Sequence, residues 1–255
     1  LGDPDGVAKT ARASLGLANV LNRNGLHRFF LEKVLGIHRD KDLPSFAATP
    51  FQKWARETEI PEEPGAEVAL FPTCYVEHNE PQVGRDTVEV LRANGVEPAC
   101  PQGQVCCGMP AWERGDLDTL RKRARENLDV LMPHVEAGAK VLVINPTCSM
   151  MLRQEYPGLL EGEDRARAGR LAEAVRDVSE FLWSIRKEDR FNTDFQSSPG
   201  EKVAYHAPCH LRAQSVGFKG RDLIRKIPGV EPTTVMECCG HDGTHAMTVE
   251  GFEAS

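Results

Sequence analysis

Cys-Cys-Gly occurs twice in this 255-residue chain, at Cys106-Cys107-Gly108 and at Cys238-Cys239-Gly240. Each copy follows a lone cysteine that closes an apolar run: Cys74 ends Glu67-Val-Ala-Leu-Phe-Pro-Thr-Cys, and Cys209 ends Lys202-Val-Ala-Tyr-His-Ala-Pro-Cys. Adjacent cysteines pack a core no better than Val or Ala would, and they rarely pair with each other. Their repetition in one setting therefore argues for metal chemistry, in which the thiolate is the ligand. Zinc is the main inorganic rival, but structural zinc sites usually pair cysteines two to four residues apart, and no Cys-x-x-Cys stands in the sequence. Neighbouring residues hold their Cα atoms about 3.8 Å apart, which is awkward for one tetrahedral ion and natural where each thiolate takes a different iron of one cluster. A catalytic thiol without metal is the third reading. Eight cysteines could form disulfides, but such staples serve small secreted scaffolds, and a chain of this length buries a core without them.

The elements that must position these cysteines alternate between short β-like runs and helical stretches from Glu67 onward, the pattern of an α/β fold with a largely parallel sheet. Val68 to Phe71, Val96 to Ala99 and Val141 to Ile144 read as strands, with helices over Gln82 to Ala93 and Leu117 to Val135. A long amphipathic segment follows, with Leu171, Ala174, Val175, Val178, Leu182 and Ile185 at helical spacing and facing the core. After a polar loop the pattern restarts: strand Lys202 to Tyr205, helix Leu211 to Lys226, strand Glu231 to Val235. Cys74 and Cys209 are 135 positions apart, and Cys106 and Cys238 are 132 apart. Offsets this close make the restart an internal repeat and predict two pseudo-repeated lobes meeting at a shared site. Cys74, Cys148 and Cys209 each fall between a strand and a helix, at the strand ends where ligands gather in open α/β sheets. Gly108 and Gly240 suit close backbone approach to a bulky inorganic group.

Residues 1–62 read as a helical lead-in, with Leu15, Ala18, Leu21, Phe29, Phe30, Val34 and Leu35 forming a rough apolar stripe. Packing against the following domain is the expected use of that stripe, and docking on a membrane surface or partner is the alternative. Pro61 to Gly65 breaks the pattern, which divides the chain into 1–62, a first cysteine-rich domain at 63–190 and a second at 191–255. A net charge of −7 and a pI near 5.7 oppose a nucleic-acid role, and acidic partners are disfavoured. No apolar run approaches the length of a spanning helix, and residues 1 to 5 lack a signal-peptide pattern. A cytoplasmic protein is expected, and the start without Met reads as a fragment. No dinucleotide fingerprint or phosphate loop is present, so any flavin must sit on a partner.

Together these residues resemble the cysteine-rich CCG domain of the heterodisulfide reductase B and D group, the wider family that includes the C subunits of anaerobic glycerol-3-phosphate dehydrogenases. Ala69-Leu-Phe-Pro-Thr-Cys74, Cys106-Cys-Gly-Met-Pro110, Pro146-Thr-Cys148, Tyr205-His-Ala-Pro-Cys-His210 and Glu237-Cys-Cys-Gly240 carry the likeness. The resemblance implies an iron–sulfur cluster, either a 4Fe–4S centre or a noncubane one, on Cys74, Cys106, Cys107 and Cys148 and on Cys209, Cys238 and Cys239. It implies an electron-transfer subunit that relays electrons from a flavin dehydrogenase subunit, of glycerol 3-phosphate or 2-hydroxy-acid type, towards quinone. A ferredoxin-like cluster segment and peripheral contact with the inner face of the cell membrane belong to the same expectation. The alternative it carries is an enzyme that reduces a disulfide or persulfide at the cluster.

Three departures qualify the resemblance. The ferredoxin-like N-terminal segment of the family is absent from this sequence. Cys148-x-x-Met151 stands where the disulfide-reducing members have Cys-x-x-Cys, which leaves four thiolates, enough for an ordinary 4Fe–4S centre. The distal ligands of the second repeat would fall near position 280, past Ser255, so the first site is expected to load more readily. His206, His210, His241 and His245 crowd the second group, and His78 follows Cys74. Hydrogen bonding to backbone or cluster sulfur is their expected role, with iron ligation or proton relay as the alternative. Cys100 lies outside the repeat and reads as a buried small residue, and Met109, Met150 and Met151 read as packing.

Overall fold

The computed structural model describes residues 2–200, 202–240, 243 and 245–254. Its first sheet holds three short parallel strands, β1 (Val68–Phe71), β2 (Lys140–Val143) and β3 (Val175–Asp177), in the order β1-β2-β3. Phe71 lies opposite Val143, and Val143 opposite Asp177, so the strands end together at one edge. On the other side of β1, Ala99 pairs in parallel: its N–H donates to the Val68 carbonyl, and the Leu70 N–H donates to the Ala99 carbonyl, both at 2.9 Å. The run expected as a strand over 96–99 thus joins the sheet through a single residue pair. The chain therefore leaves β1 toward one side and returns on the other, which makes β1 a topological switch point, the place where open α/β sheets bind ligands beyond their strand ends.

Helices cover both faces of this sheet because its inward side chains alternate. Phe71, Val141 and Val143 pack with Leu120, Leu128, Met151, Tyr156 and Leu171, which come from the helices Leu117–Glu136, Tyr156–Leu159 and Gly162–Ala174 and the π-helical turn Met151–Glu155. Val68, Leu70 and Leu142 pack the other way, against Phe51, Val88, Leu91 and Phe181 from the helices Phe51–Glu57, Pro81–Ala93 and Val178–Ser184. The fold is therefore α/β, with two pseudo-repeated lobes bearing short parallel sheets after a helical lead-in of Pro4–Ala13, Leu17–Arg23, Gly25–Leu35 and Phe51–Glu57.

The second lobe repeats the ladder as well as the cysteines. Strands β4 (Ala204–His206) and β5 (Thr233–Val235) are parallel, and the Thr233 N–H donates to the Val203 carbonyl at 2.9 Å, as the Ala99 N–H does to Val68. Among the described residues the second lobe has no counterpart of β2. The lobes meet where the helix Pro146–Met150 packs on Cys209–Ala213, with Gln214 Nε2 donating to the Pro146 carbonyl at 3.1 Å and to Ser149 Oγ at 2.9 Å. The lead-in also touches the far end of the chain: Ile37 pairs with Thr248, and His38 stacks on Phe252 with ring centroids 3.8 Å apart.

Three expectations need correction. The segment over 171–185 is two helices separated by β3, although Leu171, Ala174, Val175, Leu182 and Ile185 are buried as expected. Asp177 ends the strand and caps the next helix: its side chain accepts from the Ser179 N–H, and Glu180 reaches back to the Asp177 N–H in a capping box. The helix over 211–226 is likewise two helices, Cys209–Ala213 and Lys219–Ile224, broken where Ser215 and Gly217 turn to φ of +56° and +80°. The apolar stripe of the lead-in does not pack inward, since Leu15, Phe30, Val34 and Leu35 are all more than half exposed. Arg28 takes the inward position on Gly25–Leu35 instead, donating to the carbonyls of His38, Arg39 and Lys41. Asp177→Ala removes a cap and a capping box together, so urea unfolding should show a loss of about 1–2 kcal/mol with the cysteine environment unchanged.

Candidate metal centre

Each thiol of the first group sits just past a strand end at the switch point. Cys74 follows β1 in the helix Thr73–His78, Cys148 follows β2 in Pro146–Met150, and Cys106-Cys107 lie in the loop beyond Ala99. Thr73 is held at φ +75°, a conformation that a β-branched residue adopts only under strain. Its hydroxyl is buried with no hydrogen-bond partner among the described residues. Sequence reasoning passed over Thr73, and a strained residue beside Cys74 with an orphan hydroxyl is what a site built for an added group displays.

Cys106, Cys107 and Cys148 are buried and Cys74 is half-buried, and all eight cysteines of the chain are free thiols. The four thiols neighbour one another in the order Cys74, Cys106, Cys107, Cys148, each close enough to act on the next. The adjoining Cys107 and Cys74 thiols bring Cys106 down to about 4 against the cost of burial, while Cys74 and Cys107 are pushed up by Cys106 and by burial. Among the described residues no three His, Cys, Asp or Glu side chains converge on one point to hold a single ion. Two of these thiols are consecutive in sequence, an arrangement that suits a polynuclear group taking each thiolate on a different iron.

The loop that carries the adjacent cysteines has no ladder of its own, so side chains hold it. Asn127 accepts from the Val105 N–H at 3.0 Å, and its amide donates to Tyr156 Oη at 3.1 Å and to the Cys106 carbonyl at 3.5 Å. Tyr156 Oη donates to the Cys107 carbonyl at 3.0 Å. Both residues are fully buried. From the lead-in, Asp5 accepts from the Cys106 N–H at 3.0 Å, from Arg123 at 2.8 Å and from His78 Nε2 at 2.9 Å. Asp5, Arg123, Asn127 and Tyr156 were all missed in sequence, since each lies more than 15 positions from the cysteines it serves and only the fold brings them together. Gly108 sits at φ +90°, a conformation that favours glycine, and an added Cβ would lie 2.3 Å from Leu120 Cδ1, so Leu120 also crowds the position.

The second group is assembled more loosely. Cys209, Cys238 and Cys239 are exposed. Arg212 donates to Cys209 Sγ at 3.3 Å and lowers that thiol, and the neighbouring Cys238 acts in the same direction. The Gly240 N–H donates to Cys238 Sγ at 3.4 Å. His206 Nε2 bonds the Glu237 carbonyl at 2.9 Å, and His210 Nδ1 meets Thr147 Oγ1 at 2.7 Å, so both are engaged with protein groups. His245 opens the short helical turn His245–Met247, and His241 lies outside the described residues. His78 is tied to Asp5 and Arg12 rather than to sulfur. Cys100 is fully buried and its thiol is raised by that burial to about 12; Met151 is fully buried in the core.

A duplicated α/β protein with clustered thiols at a switch point is the class these features define. The CCG cysteine-rich domain family matches residues 68–153 and 203–255, and the chain belongs to that family. The C subunit of anaerobic glycerol-3-phosphate dehydrogenase from Escherichia coli strain K12 is 31% identical over 231 residues, covering 89% of this chain and 57% of that protein. A fumarate reductase (CoM/CoB) subunit from Methanothermobacter marburgensis is 32% identical over 188 residues, 72% of this chain and 35% of that protein. Lactate utilization protein A of Bacillus licheniformis is 31% identical over 186 residues, 71% of this chain and 74% of that protein. The chain thus spans little more than half the length of the dehydrogenase subunit. No solved structure matches it.

Exposure predicts which thiols react. In native metal-free protein, iodoacetamide should modify Cys209, Cys238 and Cys239 quickly, and Cys100, Cys107 and Cys148 only after denaturation, read by peptide mass mapping. Because Arg212 favours the Cys209 thiolate, Arg212→Ala should slow its alkylation at pH 7 severalfold and leave Cys239 unaffected.

Proposed function

We propose that the chain holds an iron–sulfur cluster on Cys74, Cys106, Cys107 and Cys148 and serves as an electron-transfer subunit of an oxidoreductase complex. Supporting this is the gathering of four free thiols, two of them consecutive in sequence, just past the carboxyl ends of strands at a switch point. When bound, such a cluster supplies one-electron redox chemistry through thiolate ligands. The residues of this chain do the rest: Asn127 and Tyr156 fix the ligand loop, the apolar core around Phe71 and Val143 excludes water, and Thr73 directs Cys74. Cys209, Cys238 and Cys239 form the second, more open site in this reading, and the division at 62 and 190 separates lead-in, first and second units.

The relatives named as dehydrogenase and reductase subunits support the choice of partners. A flavin dehydrogenase subunit of glycerol 3-phosphate or 2-hydroxy-acid type would supply electrons, a ferredoxin-like segment would pass them on, and quinone would receive them. The alternative, reduction of a disulfide or persulfide at the cluster, is weakened at the first site by Met151, a fully buried core residue where a fifth thiolate would stand. After strictly anaerobic purification, iron and acid-labile sulfide should be present in similar amounts. Cys106→Ser should remove most of both, and Cys209→Ser should spare most. Stoichiometric zinc without sulfide, or loss only with Cys209→Ser, would overturn the assignment.

The lead-in supports a peripheral membrane location on the cytoplasmic face. Among the described residues no helix is long and apolar enough to cross a membrane. Leu26, Phe30 and Val34 instead form an exposed row along Gly25–Leu35, and residues 6–41 hold seven Lys and Arg against two acids in a chain of net charge −7. Apolar side chains flanked by cations suit an anionic lipid surface. Co-sedimentation with vesicles containing phosphatidylglycerol should fall about tenfold or more in the triple variant Leu26→Ser, Phe30→Ser, Val34→Ser, and should weaken in high salt. Equal binding by the variant would refute this location.

A further inference from the structure

Asp5 places a carboxylate beside thiols that carry or develop negative charge. Like charges at such a site repel, and Asp5 itself disfavours the thiolates of Cys74 and Cys106. A position that costs electrostatic energy calls for a compensating role, and the hydrogen bonds supply it. Asp5 Oδ1 accepts from His78 Nε2 on the helix that carries Cys74, while Oδ2 accepts from the Cys106 N–H and from Arg123 on the long helix Leu117–Glu136. Arg123 also reaches Asp3 at 2.7 Å, and Arg12 donates to His78 Nδ1 at 3.1 Å, which fixes the proton on Nε2 facing Asp5. Ala8 and Ala11, both buried, let the helix Pro4–Ala13 lie close against the domain. One carboxylate thus joins this helix to three separate parts of the cysteine site, and it lines the small cleft beside Cys74 and Cys106 together with Phe71, Thr73 and Gln104.

We propose that Asp5 is a positioning residue of the first cysteine site, whose carboxylate pins the helix Pro4–Ala13 across the mouth of the site and withholds the Cys106 amide from sulfur. The pinning stands on the hydrogen bonds alone; its effect on a bound cluster rests on the iron–sulfur reading above. Cluster potentials fall as negative charge is brought near and as N–H bonds to sulfur are removed, and Asp5 does both. It therefore holds the first site at a lower potential than the cysteines alone would set, and it limits the access of water to Cys74 and Cys106.

Two variants separate the effects. Asp5→Ala removes the pin, whereas Asp5→Asn keeps an oxygen for the Cys106 N–H and removes the charge. In metal-free protein, hydrogen–deuterium exchange should quicken about tenfold in peptides covering 4–13 and 104–108 of Asp5→Ala, the scale expected for losing a charge-assisted anchor. Peptides from β1 and β2 should be unchanged, which reports that the chain remains folded. Unchanged exchange at 4–13 overturns the pinning, and should Asp5→Ala fail to fold, the same measurement on Arg123→Ala, which removes the bonds from the long helix to Asp5 and Asp3, decides it. In iron-loaded protein, redox titration followed by electron paramagnetic resonance should place the midpoint of Asp5→Asn above that of wild type, and equal midpoints overturn the electrostatic role. Wild-type protein without iron and sulfide would refute the iron–sulfur reading and leave the exchange result to judge the pin.

Discussion

Val105, Cys106 and Cys107 belong to neither a strand nor a helix, yet the two cysteines are almost fully buried, and the peptide groups of this loop must find partners. That constraint organises the first lobe. Asn127 meets the Val105 amide and the Cys106 carbonyl, Tyr156 meets the Cys107 carbonyl, and Asp5 meets the Cys106 amide. Each partner comes from a different helix, so the helix Leu117–Glu136, the turn into Tyr156–Leu159 and the lead-in all converge on two adjacent cysteines. A ladder would have satisfied the same groups more cheaply, but it would have spread the side chains alternately to opposite faces. Holding the loop by side chains lets both thiols of a consecutive pair reach the same neighbourhood.

The sheet contributes the remaining thiols by register rather than by contact. In-register parallel strands end at a common edge, so a cysteine a few residues past β1 and another a few residues past β2 arrive side by side without further instruction. The Ala99 pairing puts the Cys106-Cys107 loop at that same edge from the opposite flank of β1. The second lobe repeats the pairing of β4 with β5, but its cysteines remain exposed because the described residues supply no second flank there. Burial of the first group and exposure of the second thus have one cause, the number of strands that surround the central one.

Much of this was legible in the sequence, and what was not has physical reasons. The strand Val68–Phe71 and the helices near 81–93 and 117–136 follow from periodicity and length, and the repeat follows from the cysteine offsets. The strand β3 was hidden because Leu171, Ala174, Val175, Val178 and Leu182 keep helical spacing across it; the Asp177-x-x-Glu180 capping box was the available signal. The break at Ser215 to Gly217 was hidden because serine does not announce a positive φ. The thiols themselves could be picked out because chemistry selects their residue type. Asp5 and Tyr156 could not, since an acid near a chain start and a tyrosine in a helical stretch are ordinary until the fold sets them against a particular amide and carbonyl.

The lead-in inverts the usual order of burial, and the inversion bears on how its parts divide the work. Arg28 is buried against three backbone carbonyls and forms no ion pair among the described residues, while Leu26, Phe30 and Val34 face outward on the same helix. Had the helix only needed to cover the domain, the opposite rotation would turn the apolar row inward and leave the cation in water. Arg28 fixes the loop 38–41, whose His38 stacks on Phe252 near the other end of the described chain. The cation therefore serves the internal connection, and the apolar row is free to meet something outside. Pro4–Ala13, the first helix of the lead-in, does the converse, turning Ala8 and Ala11 inward and placing Asp5 at the cysteines. One end of the lead-in is thus tied to the thiol site while the other leaves its apolar row exposed, with the helix Leu17–Arg23 joining the two.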